Sequence, residues 1–255
     1  METPGHKSKQ ITFYAHQVDF EEEIVRPRGY PRPVQHLLEL KITQALGLLP
    51  FPAKELTALV ICGGAGMDAE KLVQHGFRVT ITDLSPEAIA RAEERSRRYG
   101  VDYQAMVMDA ESLAFPDRSF DVVFVHDGLH HLPDPYLAIR EMARVARRAV
   151  VIVEPQDAPL VRLAVRLVIS GDWEDAGNFV YRLRGPQLAR FLADLGFPRV
   201  SWVSHLIYYQ PWTFGLYAKL SREPFFSMFK MAFSLINALV GRWGNSLKFT
   251  AWRDV

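Results

Sequence analysis

Short apolar runs, several ending at a glycine or an aspartate, alternate through the middle of the chain with stretches whose apolar positions recur at helical spacing. Residues 57–62 (TALVIC) have the composition of a strand buried on both faces, and glycines follow. Residues 68–75 read as a helix closed by Gly76, and 78–82 (RVTIT) as a β-branched second strand. Ser85, Pro86 and Glu87 make a helix start. The serine can cap free amides, proline suits the first turn and glutamate complements the helix dipole. That helix runs to about Arg98 and stops at Gly100. Strands are expected at 103–108, 120–126 and 149–154, with a turn opening at Phe115, Pro116 and Asp117. Helices are expected at 135–147, 159–169 and 186–195, the last closed by Gly196. Five such strand–helix alternations predict an α/β protein with a doubly wound, mostly parallel sheet.

The two ends break the pattern. Residues 1–50 hold no strand signal, and 34–46 look like an amphipathic helix ahead of the first strand. The tail, 199–255, holds seven Lys/Arg against two Asp/Glu and 13 of the 30 aromatic residues, so it is both basic and apolar. It is expected to supply two strands, near 200–209 and 246–253, one of them antiparallel, separated by a helical insertion over 210–245. With neither internal repeat nor low-complexity linker, 1–255 reads as one domain. Its parts are a helical lid (1–50), a core (51–209), the insertion as a cap (210–245) and a last strand (246–255).

Composition narrows the function. A 49% hydrophobic content supplies a full core, and Lys+Arg of 30 against Asp+Glu of 29 gives no basic field to attract nucleic acid. A lone cysteine, Cys62, rules out an internal disulfide and points to a cytoplasmic protein, as does an N-terminus without an apolar leader. The most apolar late run, 231–241, would reach about 17 Å as a helix, short of a hydrocarbon core of about 30 Å.

The sharpest local signal is the glycine turn Cys62, Gly63, Gly64, Ala65, Gly66, which lets backbone approach a ligand at the start of a helix. The bland alternative is a strand–helix turn that needs glycine for shape alone. Asp83 lies 17 residues after Gly66, at the end of the second strand, where a carboxylate can accept two ribose hydroxyls; its alternative role is to cap the next helix. Asp109 repeats that placement after the third strand.

Taken together, the set resembles the class I S-adenosylmethionine-dependent methyltransferases, of the small-molecule type that includes quinone-biosynthesis enzymes. The resemblance covers about residues 56–200. It rests on CGGAG at 62–66, ITD at 81–83, MDAESLAFPDRSFDVV at 108–123, GLHHLPDP at 128–135, and Glu154 followed by Pro155. It implies a Rossmann-like fold, S-adenosylmethionine as methyl donor with S-adenosylhomocysteine as product, and direct displacement onto a small-molecule acceptor. It also implies a cofactor site: Cys62, Gly63, Gly64 and Gly66 near the methionine part, Asp83 on the ribose, and Leu84 against the adenine. Asp109 and Ala110 would take the adenine edge, and His126 would sit beside the sulfonium. Two departures stand out: Cys62 replaces the family's first glycine, and Val60 replaces an acid two positions earlier.

Imidazoles at His126, His130 and His131 are the natural proton acceptors near neutral pH, yet displacement can proceed by proximity and alignment alone. No Asp/Glu/Cys ligand set accompanies them, so no metal is expected. Candidate acceptor contacts are Tyr14, His130, Glu154 and Phe229. Phe229 belongs to a segment greasy almost all round, which suits a core, a partly apolar acceptor or peripheral contact with a membrane. Two other readings compete: a nicotinamide-dependent oxidoreductase using the same glycine turn and Asp83, and a non-catalytic protein with a degenerate cofactor site.

Overall fold

The computed structural model of the protein describes residues 5–167 and 179–254. Three helices come first: α1 (His6–His16), α2 (Phe20–Val25) and α3 (Arg32–Leu46). The core then runs β1 (Thr57–Val60), α4 (Met67–Gln74), β2 (Arg78–Asp83), α5 (Pro86–Tyr99), β3 (Gln104–Val107), β4 (Phe120–His126), α6 (Pro135–Val145) and β5 (Ala146–Pro155). After it come α7 (Pro159–Arg166), α8 (Gly185–Asp194), β6 (Arg199–His205), α9 (Phe214–Lys219), α10 (Phe225–Val240) and β7 (Ser246–Trp252). Residues 168 and 169, expected to end the helix begun at Pro159, lie outside the described residues.

The strands form one seven-stranded sheet in the order β3-β2-β1-β4-β5-β7-β6. Pairing is parallel from β3 to β5, and β7 runs antiparallel to both its neighbours. This is the Rossmann-like, doubly wound sheet expected, with β7 as the antiparallel strand. Ser85 caps α5 as anticipated, its hydroxyl accepting from the Ala88 amide at 3.2 Å. Strand alternation divides the core in two. Val123 and Val125 of β4 pack with Met142 of α6 and Leu188 of α8, while Val122 and Phe124 face Ile42 of α3, Leu72 of α4 and Ala92 of α5.

Three expected boundaries shift, each for a physical reason. At the end of β1 the chain leaves the strand before Cys62, which takes a left-handed φ of 50° to turn toward α4. Strand β6 stops at His205, well short of 209, because Leu206 and Ile207 pair with side chains instead of backbone. The Asn237 and Asn245 carboxamides accept their amides at 2.7 and 2.8 Å and donate to their carbonyls. The first 50 residues hold two helices beyond the one legible in the sequence. Fully buried Arg95 of α5 ties down α2, donating to the Ile24 carbonyl at 2.8 Å and to Glu70 of α4 at 2.9 Å.

Lys248 is the anomaly of the sheet. It shares a face of β7 with Ser246 and Thr250, toward α3, and it is fully buried with no hydrogen-bond partner on Nζ among the described residues. Burial, reinforced by Lys41, brings its pKa down to about 6. The unfolded chain binds this proton below about 10.5 and the folded chain only below about 6, so this group drains stability as pH falls between those values. Lys248→Met is expected to raise the unfolding free energy at pH 7 by on the order of 2–4 kcal/mol. The gain should shrink toward pH 10, as read by urea unfolding at both pH values.

Candidate functional site

At the carboxyl ends of β1, β2 and β4 the structure opens a cavity of about 1170 Å³. Its floor is the turn after β1. The Gly64 backbone is left-handed at φ 52° and leaves open space where a Cβ would project, so another molecule can approach it closely. Asp83, ending β2, accepts the Gly64 amide on Oδ2 and the Ser85 amide on Oδ1, each at 2.9 Å. Each oxygen keeps a lone pair for a further donor. Burial pushes the Asp83 carboxyl up in pKa, opposed by those backbone amides. Asp109 lies farther along the wall, accepting from Lys7 of α1 at 2.6 Å and from the Glu111 amide at 3.0 Å. Burial alone would lower the Lys7 ammonium, but Asp109 and Glu111 hold it above its ordinary value.

A row of alternating charges crosses the middle of the cavity. His126 Nδ1 lies 2.9 Å from Asp68 Oδ1 and its Nε2 lies 3.2 Å from Asp127 Oδ2, while Lys41 of α3 pairs with the same Asp127 oxygen. Burial and Lys41 oppose the imidazolium, yet the two carboxylates hold His126 above its usual pKa. Burial would raise Asp127, but Lys41 and His126 bring it well below the usual range. Burial would lower Lys41, but Asp127 and then Tyr209 keep it raised. The Lys41 Nζ also reaches the Tyr209 hydroxyl at 3.4 Å. Arg26, whose Nε has no hydrogen-bond partner, adds a second cation to this wall.

On the far side stands Glu154, at the end of β5. Its Oε1 accepts the Gly128 and Leu129 amides, each at 2.7 Å, and its Oε2 lies 2.7 Å from His130 Nδ1. The carboxylate thus orients an imidazole that lines the cavity, as an acid orients the histidine of a triad. The His131 ring lies over His130, centroids 4.2 Å apart.

The structure brings Cys62, Gly63, Gly64, Asp83, Leu84, Asp109, Ala110, His126, His130 and His131 onto one cavity. Three expected site residues do not line it. A Cβ on Gly66 would meet the hydroxyl of Tyr103, just before β3, at 2.5 Å and Ala92 of α5 at 3.3 Å, so this glycine serves packing. Glu154 is only 1% exposed and spends its oxygens on two amides and His130. Phe229 faces away from the cavity, stacked between Phe226 and Phe233 on α10. As a whole α10 contributes nothing to the cavity; of the insertion, Gln210, Pro211, Trp212, Phe214 and Asn245 line it. Tyr14 falls on α1, and its side chain lies outside the described residues. Glu23 of α2 also lines the cavity. Sequence reasoning also missed Lys41, Asp127, Arg26 and Tyr209. For Lys41 a signal existed, since it is a lone cation on the stripe Leu37, Leu38, Ile42, Ala45.

Cys62 occupies the left-handed position where the resemblance calls for glycine. Burial raises its thiol well above the ordinary value, which removes it as a nucleophile. Among the described residues no group of His, Cys, Asp or Glu is arranged to hold a metal ion.

Known proteins bear on this geometry. Residues 59–153 match the methyltransferase domain family. The 27-O-demethylrifamycin SV methyltransferase of Amycolatopsis mediterranei is 34% identical over 103 residues, 40% of this chain and 38% of that protein. A ubiquinone/menaquinone biosynthesis C-methyltransferase UbiE of Bradyrhizobium diazoefficiens is 29% identical over 177 residues, 60% of this chain and 70% of that one. The chain spans 38% and 37% of the lengths of the first two curated relatives it matches. Magnesium protoporphyrin IX methyltransferase (ChlM) from Synechocystis, solved with bound SAM, shares the fold with a TM-score of 0.60 at 15% identity, each chain covered in full. Residues 59–153 are thus similar to a methyltransferase domain, and the chain shares its Rossmann-like fold with a solved methyltransferase.

The Glu154 contacts can be tested alone. Glu154→Gln should weaken the two amide contacts and lower the unfolding free energy by about 1–3 kcal/mol. Thermal unfolding at neutral pH reads the loss.

Proposed function

We propose that the protein transfers a methyl group from S-adenosylmethionine to a small-molecule, partly apolar acceptor by in-line displacement. The observation that carries the reading is the pairing of Gly64 and Asp83 on one cavity wall, an open backbone position beside a carboxylate with acceptor capacity to spare. The match of 59–153 to the methyltransferase domain family supports it and leaves the nicotinamide reading without a supporting observation.

The bound donor would supply an electrophilic methyl on a sulfonium, and its departure leaves S-adenosylhomocysteine. The chain's own residues bind and orient. Asp83 is suited to accept both ribose hydroxyls, with Leu84, Asp109 and Ala110 along the adenine end. With Val60 apolar, the cavity acids other than Asp83 on the side of His126 are Asp68 of α4 and Asp127 after β4, both already paired with that histidine. His126, paired with Asp68 through Nδ1 and lying 3.2 Å from Asp127 through Nε2, is a positioning group in this reading and gives no base. His130, oriented by Glu154, is the residue to take a proton from the acceptor. Aromatic residues Tyr208, Trp212 and Phe214 wall the acceptor end, which favours a partly apolar molecule. In the same reading the 210–245 insertion contacts a membrane surface peripherally.

Asp83→Ala should weaken S-adenosylmethionine binding by on the order of 1.5–3 kcal/mol, read by calorimetry. Unchanged affinity would remove the site assignment. His130→Ala should leave that affinity intact and lower kcat by about 10²–10⁴-fold if the acceptor must lose a proton. Equal kcat in both proteins would assign catalysis to alignment alone.

A further inference from the structure

Helix α10 has two apolar faces, and only one is covered. Phe226, Phe229 and Phe233 stack along the inner face, where Phe226 also meets His36 of α3. On the outer face Phe225, Met228, Met231, Leu235, Ile236 and Leu239 project at helical spacing, and Met231 and Leu239 are 70% and 69% exposed. A strip of Ser227, Lys230 and Ser234 separates the faces. Six large apolar side chains on one exposed stripe are too many for an ordinary solvated surface.

Through its inner face α10 is also tied to an exposed aromatic cavity rim. Tyr208 and Trp212 line the cavity yet stay exposed, Trp212 by 77%. The Tyr217 hydroxyl donates to the Tyr208 carbonyl, and its ring packs 5.7 Å from that of Phe229. On the opposite rim α7 turns Leu160, Val161 and Ala164 into the cavity and leaves Leu163 outside, 51% exposed. Helix α7 packs against the turn at Gly241–Trp243 that follows α10.

Charge decides what covers this surface. Lys219, Arg222, Lys230 and Arg242 are exposed around the stripe, and the one acid among them, Glu223, is paired with Arg32. A second copy laid face to face would set these cations against their own equivalents. An anionic bilayer matches them. At 16 residues α10 reaches about 24 Å, and no helix among the described residues is long and apolar enough to cross a membrane. Its geometry is that of a helix lying in the interface.

We infer that the protein docks on an anionic lipid surface through the outer face of α10, with the rim at Tyr208 and Trp212 turned to the bilayer, so that a lipid-soluble acceptor enters the cavity from the membrane. Acceptor entry rests on the methyl-transfer reading above; docking does not. The full chain is tested by flotation with phosphatidylcholine vesicles, with and without phosphatidylglycerol. Parent protein should float with the anionic vesicles, and the double substitution Leu235→Glu, Leu239→Glu should cut the bound fraction at least about tenfold. The double variant should melt like the parent and bind S-adenosylmethionine equally, which separates lost docking from lost folding. Equal flotation of parent and variant, equal binding to neutral vesicles, or a parent dimer that the substitution dissociates would each overturn docking. The rim has its own readout: spin-labelled phosphatidylcholine in the anionic vesicles should quench tryptophan fluorescence, and Trp212→Phe should reduce that quenching. Quenching unchanged by Trp212→Phe would overturn the orientation. Absence of S-adenosylmethionine binding by the parent would instead remove the methyl-transfer reading and leave docking standing.

Discussion

Four side chains at the carboxyl edge of the sheet, alternately basic and acidic, Lys41, Asp127, His126 and Asp68, hold together the parts that make the cavity. They come from α3, the turn after β4, the end of β4 and the first turn of α4. Each charge is costly to bury alone, and each is compensated on at least one side by the opposite sign. The row fixes the helix that precedes the sheet against the sheet itself. It also explains how Asp127 tolerates a left-handed φ of 49°, since its carboxylate is anchored at two points. Removing any member strands a neighbour, so the cavity floor behaves as a unit rather than as separate contacts.

Much of the fold was legible because parallel strands buried on both faces write continuous apolar runs, and the helices between them carry explicit caps at Ser85 and Gly100. The cofactor wall was legible for a related reason: a glycine turn and a strand-ending acid leave short, local signatures. What escaped was non-local. Arg26 and Lys41 reach the cavity from the N-terminal helices and Tyr209 from the far end of the chain, and of the three only Lys41 carries a local signal, as a lone cation on an apolar stripe. Glu154 was read as touching the acceptor because strand ends usually carry binding groups, whereas its carboxylate is spent on two amides and an imidazole. Phe229 was misplaced because a helix apolar on two faces does not say which face meets the protein.

The cavity is walled by two kinds of material. One wall is backbone turns and acids at strand ends, set by the sheet register and by left-handed positions at Cys62 and Gly64. Another is mostly aromatic side chains on a segment outside the sheet. The first belongs to the fold, while the second is a small patch particular to this chain.

The two carboxamides that grip Leu206 and Ile207 have a consequence for how such a chain diversifies. Asn237 and Asn245 bind main-chain atoms only, so the stretch from Tyr208 to Phe214 is anchored upstream without regard to its side chains. Substitutions there alter that part of the cavity wall while the anchoring stays the same. Neutral drift in that stretch can reshape the cavity mouth at little risk to folding, and a library confined to it is the economical place to begin redesign.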